Sequence, residues 1–167
     1  AFQANQQLWV RPVDSLSAQP LPGTEGAGQQ FWSWDSRYLA FYAQGKLKKI
    51  DVTGGPPQIL CDAAGGANGR WNREGVILFT AAAGERSQTF AGASPIYRVA
   101  EAGGVPTPVT SLDAGQGETG HNWPHFLPDG NHFLYLALNQ DAAKSAIRVG
   151  SLDSKDSQFL LNALSFV

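Results

Sequence analysis

The sequence predicts an all-β fold assembled from repeated four-stranded antiparallel units. Three observations carry this: a spaced pair of apolar sites that recurs along the chain, Gly- and Pro-rich punctuation between short apolar runs, and an aromatic–acidic turn motif ahead of the later copies. Periods of about 20 to 50 residues mark stacked repeat architectures, because one such unit cannot bury its apolar face alone.

The first apolar site is Leu8-Trp9-Val10-Arg11, echoed by Leu47-Lys48-Lys49-Ile50, Ile96-Tyr97-Arg98-Val99 and Ile147-Arg148-Val149-Gly150. In each copy a second apolar site follows 13 residues later, at Leu21, Leu60, Val109 and Leu160. Between the two lie Gly54-Gly55-Pro56-Pro57 and Gly103-Gly104-Val105-Pro106 in the middle copies. Gly supplies a positive φ and Pro fixes φ, so each pair of sites reads as two antiparallel strands, C and D, joined by a tight turn. The outer copies carry Ser15-Leu16-Ser17 and Ser154-Lys155-Asp156 there, which implies another turn type.

Strands A and B precede this pair. Strand A ends at Trp32, Trp71 or Phe126, and an acidic turn follows with Asp35, Glu74 or Asp129 at its centre. The acidic side chain is expected to cap the turn backbone, with Gly75 and Gly130 in the left-handed position and Ser36 straining the copy that lacks glycine. Strand B is the apolar run Tyr38 to Tyr42, Val76 to Thr80 or His132 to Leu136. Ala1-Phe2, Ala4 and Leu8 align at a shift of 39 with Ala40-Phe41, Ala43 and Leu47, so the chain opens inside a repeat.

Four-stranded units of this length are β-propeller blades. The expected layout is strands B to D of a first blade over 1–22, then blades at 30–61, 69–110 and 124–161, with no further blade begun by Ser165-Phe166-Val167. A closed ring needs about four to eight blades, so an incomplete propeller of about four is expected. Its open edges invite pairing with a second copy. Trp32, Trp71 and Phe126 are expected to pack between blades, each burying roughly 150–250 Å², worth at most roughly 4–6 kcal/mol.

Composition narrows the function. A net charge of −2 and a pI near 5.9 argue against nucleic-acid binding. Lys46, Lys48 and Lys49 alternate with apolar residues and read as the exposed face of a strand. The longest apolar run, Val76 to Ala83, is too short to span a bilayer. Cys61 stands alone, which excludes an intrachain disulfide, and the absence of Met suggests that Ala1 is a processed or excised end. Gly23 to Gly28 lacks the Lys-Ser/Thr ending of a phosphate-binding loop. His121, His125 and His132 lack the ligand spacing of a metal site, and no nucleophile or kinase motif occurs, so neither metal, cofactor nor catalytic residue is expected in the chain.

The Pro128-Asp129-Gly130 turn after an aromatic, an apolar strand, then Ile-Tyr-Arg-Val and Gly-Gly-x-Pro together resemble the WD40-like PD40 repeat of the TolB-type β-propeller. Leu8 to Asp14 and Phe126 to Gly130 also resemble propeller segments attached to bacterial serine/threonine protein kinases. The resemblance implies a commonly six-bladed ring and a sensor or scaffold role. It further implies an extracytoplasmic location, tethered by a membrane segment outside this chain. The alternative is the gating propeller of a prolyl-oligopeptidase-type hydrolase whose catalytic domain lies elsewhere.

The loops point to one face. D-to-A intervals are 11, 11 and 17 residues, and the aromatic-to-C intervals are 15, 25 and 21. Both connections emerge on the same side of a propeller, and long loops on a rigid scaffold tend to carry function. The candidate face therefore holds the loops Thr80 to Pro95, Asp113 to Trp123 and Ala137 to Ala146. Gln29, Asn68, Arg70, His121, Asn122 and Trp123 are its candidate binding residues, placed to line the channel entrance for a protein, peptide or small ligand.

Overall fold

The computed structural model describes residues 1–81 and 94–163. Most of the predicted loop Thr80 to Pro95, and Ser165 to Val167, lie outside the described residues. The chain forms successive antiparallel meanders. The first holds β1 (Phe2–Ala4), β2 (Gln7–Val10) and β3 (Gln19–Pro20). The second holds β4 (Gln30–Trp32), β5 (Tyr38–Ala43), β6 (Lys46–Asp51) and β7 (Gln58–Asp62). The third holds β8 (Gly69–Trp71), β9 (Val76–Thr80), β10 (Ile96–Ala100) and β11 (Thr107–Pro108). The fourth holds β12 (Glu118–Phe126), β13 (His132–Asn139), β14 (Ala146–Ser151) and β15 (Gln158–Asn162). This is an incomplete β-propeller, with each sheet a blade; in the three four-stranded sheets the inner strand comes first.

The sheets stack face to face, which explains why β5 and β9 are buried along nearly their whole length and do not alternate. Leu8, Leu21, Leu39 and Ile50 fill the space between the first two sheets. Tyr42, Leu47, Leu60, Trp71, Ile77 and Phe79 fill the next, and Leu78, Ile96, Val109, Phe133 and Tyr135 the last. In the first three sheets the residue 13 positions after the strand-C site is covered by the following sheet, leaving Leu21, Leu60 and Val109 only 3–5% exposed. Leu160 holds the same place in the fourth sheet and is 52% exposed.

The inner-strand aromatics are not equivalent in burial. Trp71 is buried and stacks on Tyr38 of the preceding sheet, and Phe126 packs against the cluster of the third. Trp32, expected to be core, is 38% exposed and lines a cleft of about 1000 Å³ beside Val10, Pro12 and Pro20.

The acidic turns behave as expected in two cases and differently in one. Asp35 accepts from Ser33 Oγ and Arg37 N, and Asp129 accepts from Asn131 N and His132 N. Glu74 does not cap its turn. Asn72 Oδ1 accepts from Val76 N, as Ser33 Oγ does from Tyr38 N in the second sheet, and in this turn, one residue shorter, the Glu74 carboxylate lies against Gly130 of the next sheet. Ser36, Gly75 and Gly130 share the left-handed conformation at φ 61°, 74° and 73°. A Cβ costs roughly 1–2 kcal/mol there, offset in part by the greater unfolded-state freedom of glycine. Ser36→Gly should therefore raise stability by about 0.5–1 kcal/mol, measured by urea unfolding.

Candidate binding face

The inner strands β4, β8 and β12 touch in succession and define the channel side of the sheets. The D-to-A and B-to-C connections meet at one end of them: Gln140 N donates to Gly117 O, Asn139 Nδ2 to Gln116 O, and Ala163 N to Ser145 O. Two of the predicted loops are shorter than expected. Strand β12 begins at Glu118 and pairs through Asn122 with β13, so residues 118–122 are strand, and β13 itself reaches Asn139.

Arg70 and His125 hold the same register on adjacent inner strands, each one residue before the aromatic. Both are exposed, and Arg70 Nε donates to His125 Nδ1 at 3.4 Å. Phe31 occupies this register in β4 and turns inward, 8% exposed, onto Gly69. Any side chain at Gly69 would overlap the Phe31 ring, which is why β8 begins with glycine. Trp123 sits in the bulge between Asn122 and His125 at φ 51° and is 39% exposed. A bulky residue in the left-handed region is an outlier that surrounding structure must impose. The bulge re-aims the indole out of the sheet.

Gln29 is exposed, and its carbonyl accepts from Tyr42 N. The Asn68 carbonyl accepts from the buried Tyr42 hydroxyl at 2.8 Å, so Asn68 contributes backbone support at the rim. His121 and Asn122 do not line the entrance. They are 1% and 7% exposed, because pairing with β13 carries them into the interior.

His121 belongs to a buried polar network that sequence reading missed. Ile96 N donates to Thr110 Oγ1, whose hydroxyl donates to His121 Nδ1 at 2.8 Å. This leaves the ring proton on Nε2, which donates to Glu118 Oε2 at 3.1 Å. The Glu118 carboxylate also accepts from Asp113 N at 2.7 Å and meets Arg148 Nη2 at 3.4 Å, while Arg148 Nη1 donates to Ser157 Oγ. The network ties the loop after Thr110 to β12 and β14.

Burial pushes the His121 imidazole below its ordinary range, against the opposing pull of Glu118. The unfolded chain then takes up a proton below about pH 6.5 that the folded chain resists. Stability should accordingly fall as pH drops from about 6.5, and His121→Gln should flatten that limb of a urea-midpoint profile. Asp35, Asp51 and Asp129 are held below the carboxylate range chiefly by turn hydrogen bonds, so their contribution is lost only below about pH 4.

The other two histidines have separate partners, His125 with Arg70 and His132 with Asp129. No group of three or more His, Cys, Asp or Glu side chains converges as a metal site among the described residues. Cys61 is buried, and desolvation raises its thiol to about 11.

No family model matches the chain, and no curated protein matches it. Solved structures do. TolB from Acinetobacter baumannii superposes with a TM-score of 0.69 at 13% identity, over 98% of this chain and 40% of that one. The fold is that of a TolB-like β-propeller. A protein of Agrobacterium tumefaciens described as TolB gives 0.58 at 20% identity, over 86% of this chain and 49% of that one. A chain from a structural study of two prolyl endopeptidases gives 0.66 at 18% identity, over 94% of this chain and 26% of that one. The chain spans half or less of the length of these solved chains.

Within this TolB-like propeller Arg70 and His125 meet across adjacent inner strands, and Trp123 stands exposed in the bulge of the strand that carries His125. A guanidinium, an imidazole and an indole are side chains suited to stacking and charge-assisted hydrogen bonds. His125 is the member that sequence reading treated only as a metal candidate. Its signal was its register, one residue before Phe126 as Arg70 is before Trp71.

Proposed function

We propose that this TolB-like propeller is a non-catalytic binding module that holds a protein, peptide or small ligand at its loop-rich face. The observation that carries the reading is Trp123, exposed and held at positive φ in the bulge of the inner strand whose His125 meets Arg70. Backbone strain at an exposed aromatic is retained where binding uses it. The module belongs to a larger bacterial protein such as a receptor-type serine/threonine kinase, outside the cytoplasm, with any kinase or hydrolase activity in other domains. No helix among the described residues is long and apolar enough to cross a membrane. The exposed Phe159, Leu160 and Leu161 of β15 support association through that edge.

The prolyl endopeptidase likeness supports the second reading, a propeller that gates a hydrolase domain. The full-length protein separates them: a kinase domain supports the first, and an α/β-hydrolase domain with Gly-x-Ser-x-Gly supports the second. For the face itself, cross-linking in a cell-envelope extract should capture a partner with the native chain and lose it with Arg70→Gln/Trp123→Ala. Equal capture by the folded double variant would remove the assignment.

A further inference from the structure

The end of the sheets away from the candidate face, where the A-to-B and C-to-D turns emerge, holds the cleft of about 1000 Å³ between the first two sheets. Trp32 lines it together with Val10, Pro12, Pro20 and Val52. The next interface shows how the repeat covers an indole at this place. Trp71 ends its inner strand as Trp32 does, lies 6.1 Å from the Tyr38 ring of the preceding sheet, and is 6% exposed. Its indole N–H donates to Glu101 Oε2 at 3.1 Å.

Trp32 has neither partner. Among the described residues no aromatic ring is paired with it. Glu101 lies five residues after the strand-C site Ile96, and the residue five after Leu47 is Val52, whose side chain offers no acceptor. The backbone confirms the equivalence, since Glu101 N donates to Gly75 O and Val52 N to Arg37 O, each acceptor lying just before strand B. A second exchange has the same sense. Lys49 lies over Tyr38 and Trp71 in the next interface, and Val10 holds its place here, two residues after the strand-C site. The cleft thus carries two valines where the next interface has an acid and a cation. The one charged side chain that lines it is Arg11, which has no ion-pair partner among the described residues.

We infer that this cleft is a second binding site, independent of the loop-rich face, for a small planar aromatic carboxylate. The ligand ring would lie on Trp32 as Tyr38 lies on Trp71, beside Val10 and Val52, and its carboxylate would pair with Arg11. The volume suits a small molecule, and apolar walls with few polar groups are the usual make-up of such sites. A cationic ligand is disfavoured, because no carboxylate lines the cleft.

The test is titration of the isotopically labelled protein with naphthoate, beside its uncharged amide and the saturated decalin carboxylate, followed on the indole N–H resonances of the five tryptophans. Saturable shifts are expected at the Trp32 resonance, identified by its loss in Trp32→Leu, and both the amide and the saturated acid should bind about tenfold more weakly. Arg11→Gln, at an exposed position, should weaken naphthoate about tenfold and leave the amide unchanged, a split that a damaged fold would not produce. Trp34→Leu and Trp123→Ala remove the other exposed indoles, which lie outside the cleft, and should leave the affinity as it is. Absence of a saturable shift at Trp32, equal affinity for acid and amide, or unchanged affinity in the folded Arg11→Gln variant would each overturn the inference. Loss of binding in Trp123→Ala would also overturn it, by placing the ligand on the loop-rich face.

Discussion

Replacing Leu60 with alanine is expected to lower the unfolding free energy by about 2–5 kcal/mol, while Leu160→Ala costs less than about 1 kcal/mol. The two leucines hold the same place in the repeat, each 13 residues after its strand-C partner, and each sits at a register shift in its D strand. Only their surroundings differ. Leu60 is packed among Trp71, Ile77 and Val99 of the next sheet and is 4% exposed, whereas no described sheet follows Leu160. Truncating a buried leucine removes transfer free energy and leaves a cavity; truncating a half-exposed one does neither fully. Urea unfolding followed by tryptophan fluorescence measures both, and equal losses would show that sheet stacking is not what buries this repeat position.

Glu118→Ala is expected to cost roughly 3 kcal/mol, the scale for breaking a buried charged pair by removing one partner. One carboxylate, 7% exposed, receives Asp113 N, His121 Nε2 and Arg148 Nη2. Removing it leaves the buried His121 imidazole with one ring nitrogen unpaired and the Arg148 guanidinium without its counter-charge. The loss should be accompanied by faster amide exchange at Asp113, because its N–H loses its acceptor. Glu118→Gln keeps an acceptor oxygen and should recover part of the loss. If Glu118→Ala unfolds at the native urea midpoint, the network is not holding this loop.

The repeat was legible because its physics is local. Strand-C sites, the interval of 13 to the D-strand site, the Gly-Gly turns and the left-handed position shared by Ser36, Gly75 and Gly130 all follow from side-chain size and backbone φ. The candidate binding face was legible only in part. Arg70 and Trp123 are exposed where expected, but His121 and Asn122 were read as loop residues when they are strand residues turned inward. Nothing in the Gly-Gln-Gly-Glu-Thr-Gly run announces a strand starting at Glu118, since glycines weaken intrinsic strand propensity and cross-strand pairing with β13 overrides it.

Thus the amino-acid sequence by itself determined the blade: its four strands, their order and the turns that join them, because those depend on contacts between neighbours in the chain. The tertiary structure alone decided which equivalent positions are buried. Trp71 is covered and Trp32 is not, Leu60 is covered and Leu160 is not, because burial in a stacked repeat is supplied by the adjacent sheet. It also decided the company kept by charged groups, bringing Glu118 to His121 and Arg148 in the interior and setting Arg37, Lys49 and Arg73 on aromatic rings at the surface. Electrostatic partners are chosen across sheets, where separation along the chain carries no information.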